Sequence, residues 1–321
     1  MKELLKVVVI GGGTGQSTIL RGLKNVENIH ITAIVTVADD GGSTGRLRKT
    51  YHIPAMGDIR AVMIALAESE STLSTLMGYR FENEEESENE LAGHNLGNLI
   101  LTALTKQTGS FMNAITDISH VLNVKGDIVP STHQVVTLLA RMEDGTIVKG
   151  ESNIPESRTK IKEVFYDEKV EASLEALNAI HEADVIILGI GSLYTSLCCN
   201  LIIEEIKQAL KTSKAHKIYV ANAMTQMGET EDYSLEDHID ALIQHGDLEL
   251  DAVIHANDKI PDAILKRYEK EYAGPVLIRD KKHAYTIIET ELLKIQDQHV
   301  RHDPEKIREF FETYFKFLRG Y

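Results

Sequence analysis

Three glycine-rich loops, each set directly behind a short apolar run, hold the residues best suited to chemistry. Val7-Val8-Val9-Ile10 runs into Gly11-Gly12-Gly13-Thr14-Gly15, and Ile19, Leu20 and Leu23 follow at helical spacing. A strand, a tight turn and a helix start present backbone N–H groups and a positive helix end to an anion. The second loop, Asp39-Asp40-Gly41-Gly42-Ser43-Thr44-Gly45-Arg46, closes a strand read over Ile31 to Ala38. Its two carboxylates suit Mg²⁺ or a ligand hydroxyl, and its Gly/Ser/Thr segment suits a further phosphate. The competing reading is an Asp-rich turn that caps the next helix. The third loop, Gly189-Ile190-Gly191-Ser192-Leu193-Tyr194-Thr195-Ser196, follows Val185 to Leu188. Its backbone and hydroxyls can meet a phosphate or sugar, or simply cap a helix. Neither familiar nucleotide template fits. The first loop lacks the third glycine of G-x-G-x-x-G, and no lysine follows Gly15 as a Walker loop requires.

Other polar residues stand where they can add to such a site. Pro54 to Arg60 leads into a helix through about Ser69. Asp58 reads as its N-cap or as a ligand contact, and Arg60 as a partner for phosphate or aspartate. Gly93-His94-Asn95-Leu96-Gly97-Asn98 opens another helix, with Asn95 and Asn98 three residues apart on one face. His94 and Asn95 can alternatively cap it. Asn222 and Thr225, in a polar loop after Ile218 to Val220, suit the ribose or base of a nucleotide. Tyr268 offers an aromatic face to a base and Arg301 a guanidinium to a phosphate, although plain surface placement is the stronger reading for both.

Elements that position these residues alternate along the chain. Strands and helices succeed one another in the βα pattern of a parallel sheet, and loops at the carboxyl ends of neighbouring strands open onto one crevice. The expected fold is α/β: a Rossmann-like, doubly wound, mostly parallel sheet with flanking helices. An antiparallel hairpin is read over Val135 to Met142 and Thr146 to Gly150 about the Asp144-Gly145 turn. Further strands are read at Leu250 to His255, Pro275 to Ile278 and Tyr285 to Leu293. Asp303-Pro304 starts a last helix that runs to about Leu318. Phe81 to Glu90 carries six glutamates and reads as a solvated loop. His133 has no visible partner. No composition break marks a linker, so residues 1–321 read as a single domain with an insertion over about 80–165.

Composition narrows the function. The 321 residues are 43% hydrophobic and 26% charged, with a formal charge of −15. That balance argues against a general nucleic-acid binder, which needs a basic face, but leaves room for one small anion held by backbone amides and a few arginines. Cys198 and Cys199, adjacent and alone, suit a reducing compartment. The first apolar run is far too short for a signal peptide or membrane span. A cytoplasmic location is expected, and oligomeric state stays open, homo-oligomers included.

Taken in order, six segments resemble the gluconeogenesis-factor family, a CofD-like branch of the 2-phospho-L-lactate transferase superfamily. They are Gly11 to Gly15, Asp39 to Arg46, Pro54 to Arg60, Gly93 to Leu99, Gly189 to Ser196 and Asn222 to Thr230. Phospholactate transferases follow their acidic pair with Pro-Asp-x-Asp-Thr, which helps hold metal and a deazaflavin acceptor. Here Gly-Gly-Ser-Thr-Gly-Arg and then Gly57-Asp58-Ile59-Arg60 stand instead. The resemblance implies a Rossmann-like core that binds a nucleotide diphosphate such as UDP-N-acetylglucosamine, serving gluconeogenic growth and cell shape or wall synthesis. A Mg²⁺-dependent transferase, with Asp39 and Asp40 on the metal, is the alternative. Ile190, Cys198-Cys199 and Met227 depart from residues usual in the family.

Overall fold

The computed structural model describes residues 4–68, 72–82, 90–157, 159–279 and 282–320. Strands β1 (Leu5–Gly11), β2 (Ile29–Val35) and β3 (Asp127–Pro130) come first. Three antiparallel strands, β4 (Leu138–Met142), β5 (Ile147–Lys149) and β6 (Ile161–Tyr166), then form a separate small sheet. The chain returns through β7 (Val185–Leu188), β8 (His216–Val220), β9 (Ala252–Ala256) and β10 (Thr286–Thr290). Strands β11 (Leu293–Gln296) and β12 (His299–His302) close a hairpin.

The main sheet has the order β10-β9-β8-β7-β1-β2-β3, and every neighbouring pair is parallel. Its central strands are continuous apolar runs because both of their faces are covered. Val7 to Ile10, Val185 to Leu188 and Ile218 to Val220 are all at most 2% exposed. Each such side chain contributes roughly 1.5–3 kcal/mol of burial.

From β1 the chain steps outward to β2 and β3, then recrosses to β7 and steps out the other way. Right-handed crossovers therefore place the helices of the two halves on opposite faces. Helix Gly13–Leu23 packs with Gly57–Leu66 and Pro304–Leu318, whereas Leu174–Glu182 packs with Glu204–Thr212. The reversal falls between β1 and β7. Gly11 pairs with Val35, and Ile10 with Leu188, so the three central strands end almost level. Their loops consequently emerge side by side at the switch point.

The doubly wound sheet and the antiparallel hairpin agree with the sequence reading, and β6 adds a third strand to that hairpin. Asp303 caps the last helix, accepting from Glu305 N at 3.0 Å, with Pro304 in its first turn. Pro275 to Ile278 is a correction: it forms no strand, only an isolated bridge to Met224. Pro275 lacks an N–H, and the partners of Val276 N and Leu277 O are loop and helix-start residues, Ala223 and Leu235. His133 does have a partner, Glu175, at 3.1 Å. Of the acidic run, residues 83–89 lie outside the described residues. Among the described residues no helix is long and apolar enough to cross a membrane.

Candidate functional site

A cavity of about 280 Å³ opens at the ends of β1 and β2. Gly13 and Thr14 line it from the first loop, and Asp39 and Gly41 to Thr44 from the second. Gly57, Asp58, Arg60 and Ala61 come from the following helix, Asn98 from helix Leu96–Thr108, and Arg80 from the segment before the acidic run. Four helices (Gly13–Leu23, Gly42–Tyr51, Gly57–Leu66 and Leu96–Thr108) thus turn their first or second turns toward one space. Each carries unpaired N–H groups and a partial positive charge there. Convergence of this kind favours a multiply charged anion.

Close packing behind the cavity explains why the loops are glycine-rich. A Cβ on Gly12 would lie 2.5 Å from Asp58 Oδ2 and 2.6 Å from Thr36 Cγ2. On Gly57 it would meet Asp39 Oδ2 at 2.6 Å, and on Gly45 the Asp40 carbonyl oxygen at 2.0 Å. Gly15 lies against the Ile190–Gly191 backbone, so the first and third loops touch. Buried amides brace them. Gln16 Nε2 donates to Val9 O and Ile34 O, both at 2.9 Å, tying β1 to β2. Asn200 Nδ2 donates to Gly11 O at 3.2 Å and Ser196 O at 2.8 Å. Arg48 Nη1 donates to Ala38 O and Asp39 O, and Nη2 to Val136 O, which fixes the acidic loop against the segment that leads into β4.

The electrostatics of the cavity are mixed. Burial pushes the Asp58 carboxyl up to about 7 and the nearby Asp39 charge adds to it, while Arg60 and the Gly13 N–H pull the other way. Glu151 reaches about 8, first through burial and then through Asp39, Asp58, Glu229 and Asp40. Arg60 is lowered by burial and next by Arg80. Among the described residues the Arg60 guanidinium makes no hydrogen bond, and its buried Nε has no partner. Asn98 Oδ1 is likewise buried and unpaired, while its Nδ2 faces Ser43 Oγ and Thr44 Oγ1.

Sequence-selected residues divide into three groups. Gly13, Thr14, Asp39, Ser43, Thr44, Asp58, Arg60 and Asn98 line the cavity together. Gly11, Gly12, Gly15, Gly45, Asn95 and Gly191 do not line it but pack within and between the surrounding loops. Asn95 caps its helix, accepting from Asn98 N at 3.2 Å, whereas Asp58 lies inside its helix, beyond an N-cap at Met56. The third group points elsewhere. Asp40 turns away to accept from Ser152 N and Oγ at 3.0 and 2.9 Å. Asn222 uses its whole amide on Gly191, accepting from its N at 3.2 Å and donating to its O at 2.8 Å. Ser192 donates to Gln226 Oε1, and Thr195 to the buried Glu229. The Tyr194 hydroxyl pairs with Tyr233 at 2.8 Å. Thr225 Oγ1 accepts from Gly274 N. Tyr268 is buried with its hydroxyl accepting from Val300 N, beside an exposed Arg301 on β12. His94 Nδ1 meets Ser43 Oγ at 3.1 Å.

The sequence reading missed Arg80, Arg48, Gln16 and Glu151. Arg80 carried one visible signal, a cation between Tyr79 and Phe81 immediately ahead of six glutamates. Gln16 had another, an amide directly after the glycine turn.

Fold and site together define a doubly wound α/β protein with a crevice, rimmed by helix starts, at the carboxyl ends of β1 and β2. The pattern described as 2-phospho-L-lactate transferase CofD matches residues 7–293, so the chain belongs to that family. Within it, the chain is similar to gluconeogenesis factors. It is 47% identical to the gluconeogenesis factor of Halalkalibacterium halodurans over 94% of both chains. To that of Bacillus subtilis it is 45% identical, over 96% of this chain and 97% of the relative. An X-ray crystal structure of a Bacillus halodurans protein superposes with a TM-score of 0.90 at 45% identity, covering 96% of this chain and 99% of that one.

Proposed function

We propose that the chain is a nucleotide-sugar-binding regulatory factor, its ligand of the UDP-N-acetylglucosamine type, serving gluconeogenic growth and cell-wall morphogenesis. One observation carries the ligand class: four helix starts and two guanidiniums surround a cavity sized for a diphosphate. The relatives named gluconeogenesis factors support the gluconeogenic part of the reading, and the cell-wall part rests on the family resemblance. Calorimetry against UDP-N-acetylglucosamine, UDP, GDP and NAD, with Mg²⁺ present, tests it. Both uridine ligands are expected to bind and NAD to fail; silence from every uridine ligand removes the proposal.

A Mg²⁺-dependent transferase is the second reading, favoured by carboxylates that share the cavity with the anion donors. Asp39 and Asp40 do not fit the metal as a pair, because Ser152 holds Asp40 away. No group of three His, Cys, Asp or Glu among the described residues is arranged around an ion. Asp39 and Asp58 fit better, since Mg²⁺ commonly takes one or two carboxylates and completes its shell with water and ligand phosphate. The metal would offset phosphate charge, and the chain would supply positioning. Release of product from a nucleotide-linked donor, lost in Asp39→Asn, decides for this reading.

A further inference from the structure

Arg80 stands on a short backbone ladder that fixes its position. It forms an antiparallel bridge with Asn95. Phe81 N donates to His94 O at 2.9 Å, Gly93 N to Phe81 O at 2.8 Å, and Leu96 N to Tyr79 O at 2.9 Å. The ladder thereby anchors Arg80 to the start of helix Leu96–Thr108. Nη1 donates to Gly93 O at 2.8 Å, and the rest of the guanidinium has no other partner among the described residues. Arg60 rises from a different helix, with its stem against Gly97, where a Cβ would lie 2.9 Å from Arg60 Cδ. Two cations from separate elements line the same cavity, and neither is in an ion pair among the described residues.

Like charges in one cavity are costly unless anions offset them; Asp58 and Asp39 offset part of the Arg60 charge, whereas no carboxylate among the described residues pairs with Arg80. A single phosphate that satisfies Arg60 and the helix starts leaves Arg80 uncovered. A second phosphate covers it. We infer that Arg80 is the residue by which the site selects a diphosphate over a monophosphate, with Arg60 holding one phosphate and Arg80 the other. This rests on the anion reading of the cavity but not on the identity of the nucleoside.

The test is calorimetry of the full chain with Mg²⁺, using pyrophosphate against orthophosphate and UDP against UMP. The wild type is expected to favour each diphosphate by tenfold or more. Arg80→Gln removes a charge-assisted hydrogen bond and should weaken the diphosphates by about tenfold or more. The monophosphates should change less than about threefold. Arg80→Lys, which keeps the charge without the fork, should recover part of the loss. Equal weakening of mono- and diphosphates, or an unchanged ratio in Arg80→Gln, overturns the inference while leaving the anion site intact. If Arg80→Gln fails to fold, the wild-type ratio against that of Arg80→Lys decides. Pyrophosphate binding without uridine selectivity keeps the inference and rejects the UDP-sugar reading. Wild-type binding of neither diphosphate overturns both.

Discussion

Gly15→Ala is expected to lower diphosphate affinity by about a hundredfold and to cost several degrees of thermal stability. The ideal Cβ would stand 2.3 Å from the Ile190 carbonyl oxygen, 2.6 Å from its carbon and 2.8 Å from Gly191 Cα. All three obstacles are backbone, so no side-chain rotation relieves the clash. Either helix Gly13–Leu23 shifts or the third loop retreats, and Asn222, which grips Gly191 from both sides, resists the second course. Overpacking of this sort costs about 1–3 kcal/mol, or roughly 5 °C in a chain of this size. Binding should suffer more than folding, because a displacement near 1 Å can cost on the order of a hundredfold where geometry is exacting. Gly109→Ala is the control. It sits at φ +71° after helix Leu96–Thr108 with no atom within 4 Å of the added methyl. Its cost is conformational only, about 1 kcal/mol, and binding should not change. Calorimetry and a melting curve on both variants suffice; wild-type affinity in Gly15→Ala would mean that the contact between the first and third loops does not set the geometry of the cavity.

The sheet was legible because its strands are written as apolar runs bounded by glycine. Val185 to Leu188 falls where the sequence places it, as does the last helix, whose start is marked by Asp303 and Pro304. β3 was not legible. It has four residues, one of them proline, and it exists because β2 offers an open edge for Asp127 to Pro130. Pro275 to Ile278 shows the converse, a strand-like composition with no ladder beside it. Loop composition located the site but not the direction of its side chains. Asp39 and Asp40 are indistinguishable as letters, and what separates them is Ser152, 112 residues away. Asn222, Tyr194 and Thr195 lie in loops rich in hydrogen-bonding groups, as a ligand site would, yet they satisfy other protein groups. A hydroxyl or amide beside a tight turn is as well suited to bracing that turn as to meeting a nucleotide. Arg80 illustrates the remaining gap. Its role depends on a ladder between residues 79–81 and 93–96 that no periodicity announces.

Asp58→Asn is expected to stabilise the protein at pH 8 and to leave it unchanged near pH 4. Burial and the neighbouring Asp39 raise the carboxyl to about 7 in the folded chain, from 3.8 ordinarily. Between those values the folded protein holds a proton that the unfolded chain has released. Folding stability therefore falls as pH rises from about 4, and the full cost is present above about 7. Asparagine keeps an acceptor for the Gly13 N–H and removes the charge, so its advantage should grow over the same window to on the order of 2 kcal/mol. Glu151 is raised in the same sense, to about 8, but it is present in both proteins. Part of the Glu151 shift comes from Asp58, so the difference between the two melting curves at each pH reads Asp58 together with its coupling to Glu151. A gap that stays constant from pH 5 to pH 9 would show that this carboxyl does not titrate there. The same substitution separates the two functional readings. If Asp58 only opposes a bound anion, Asp58→Asn should tighten pyrophosphate binding at pH 8 with or without Mg²⁺. If Asp58 helps to hold the metal, the variant should instead lose the Mg²⁺-dependent part of that binding, because removing one of two carboxylates leaves the ion too few protein oxygens.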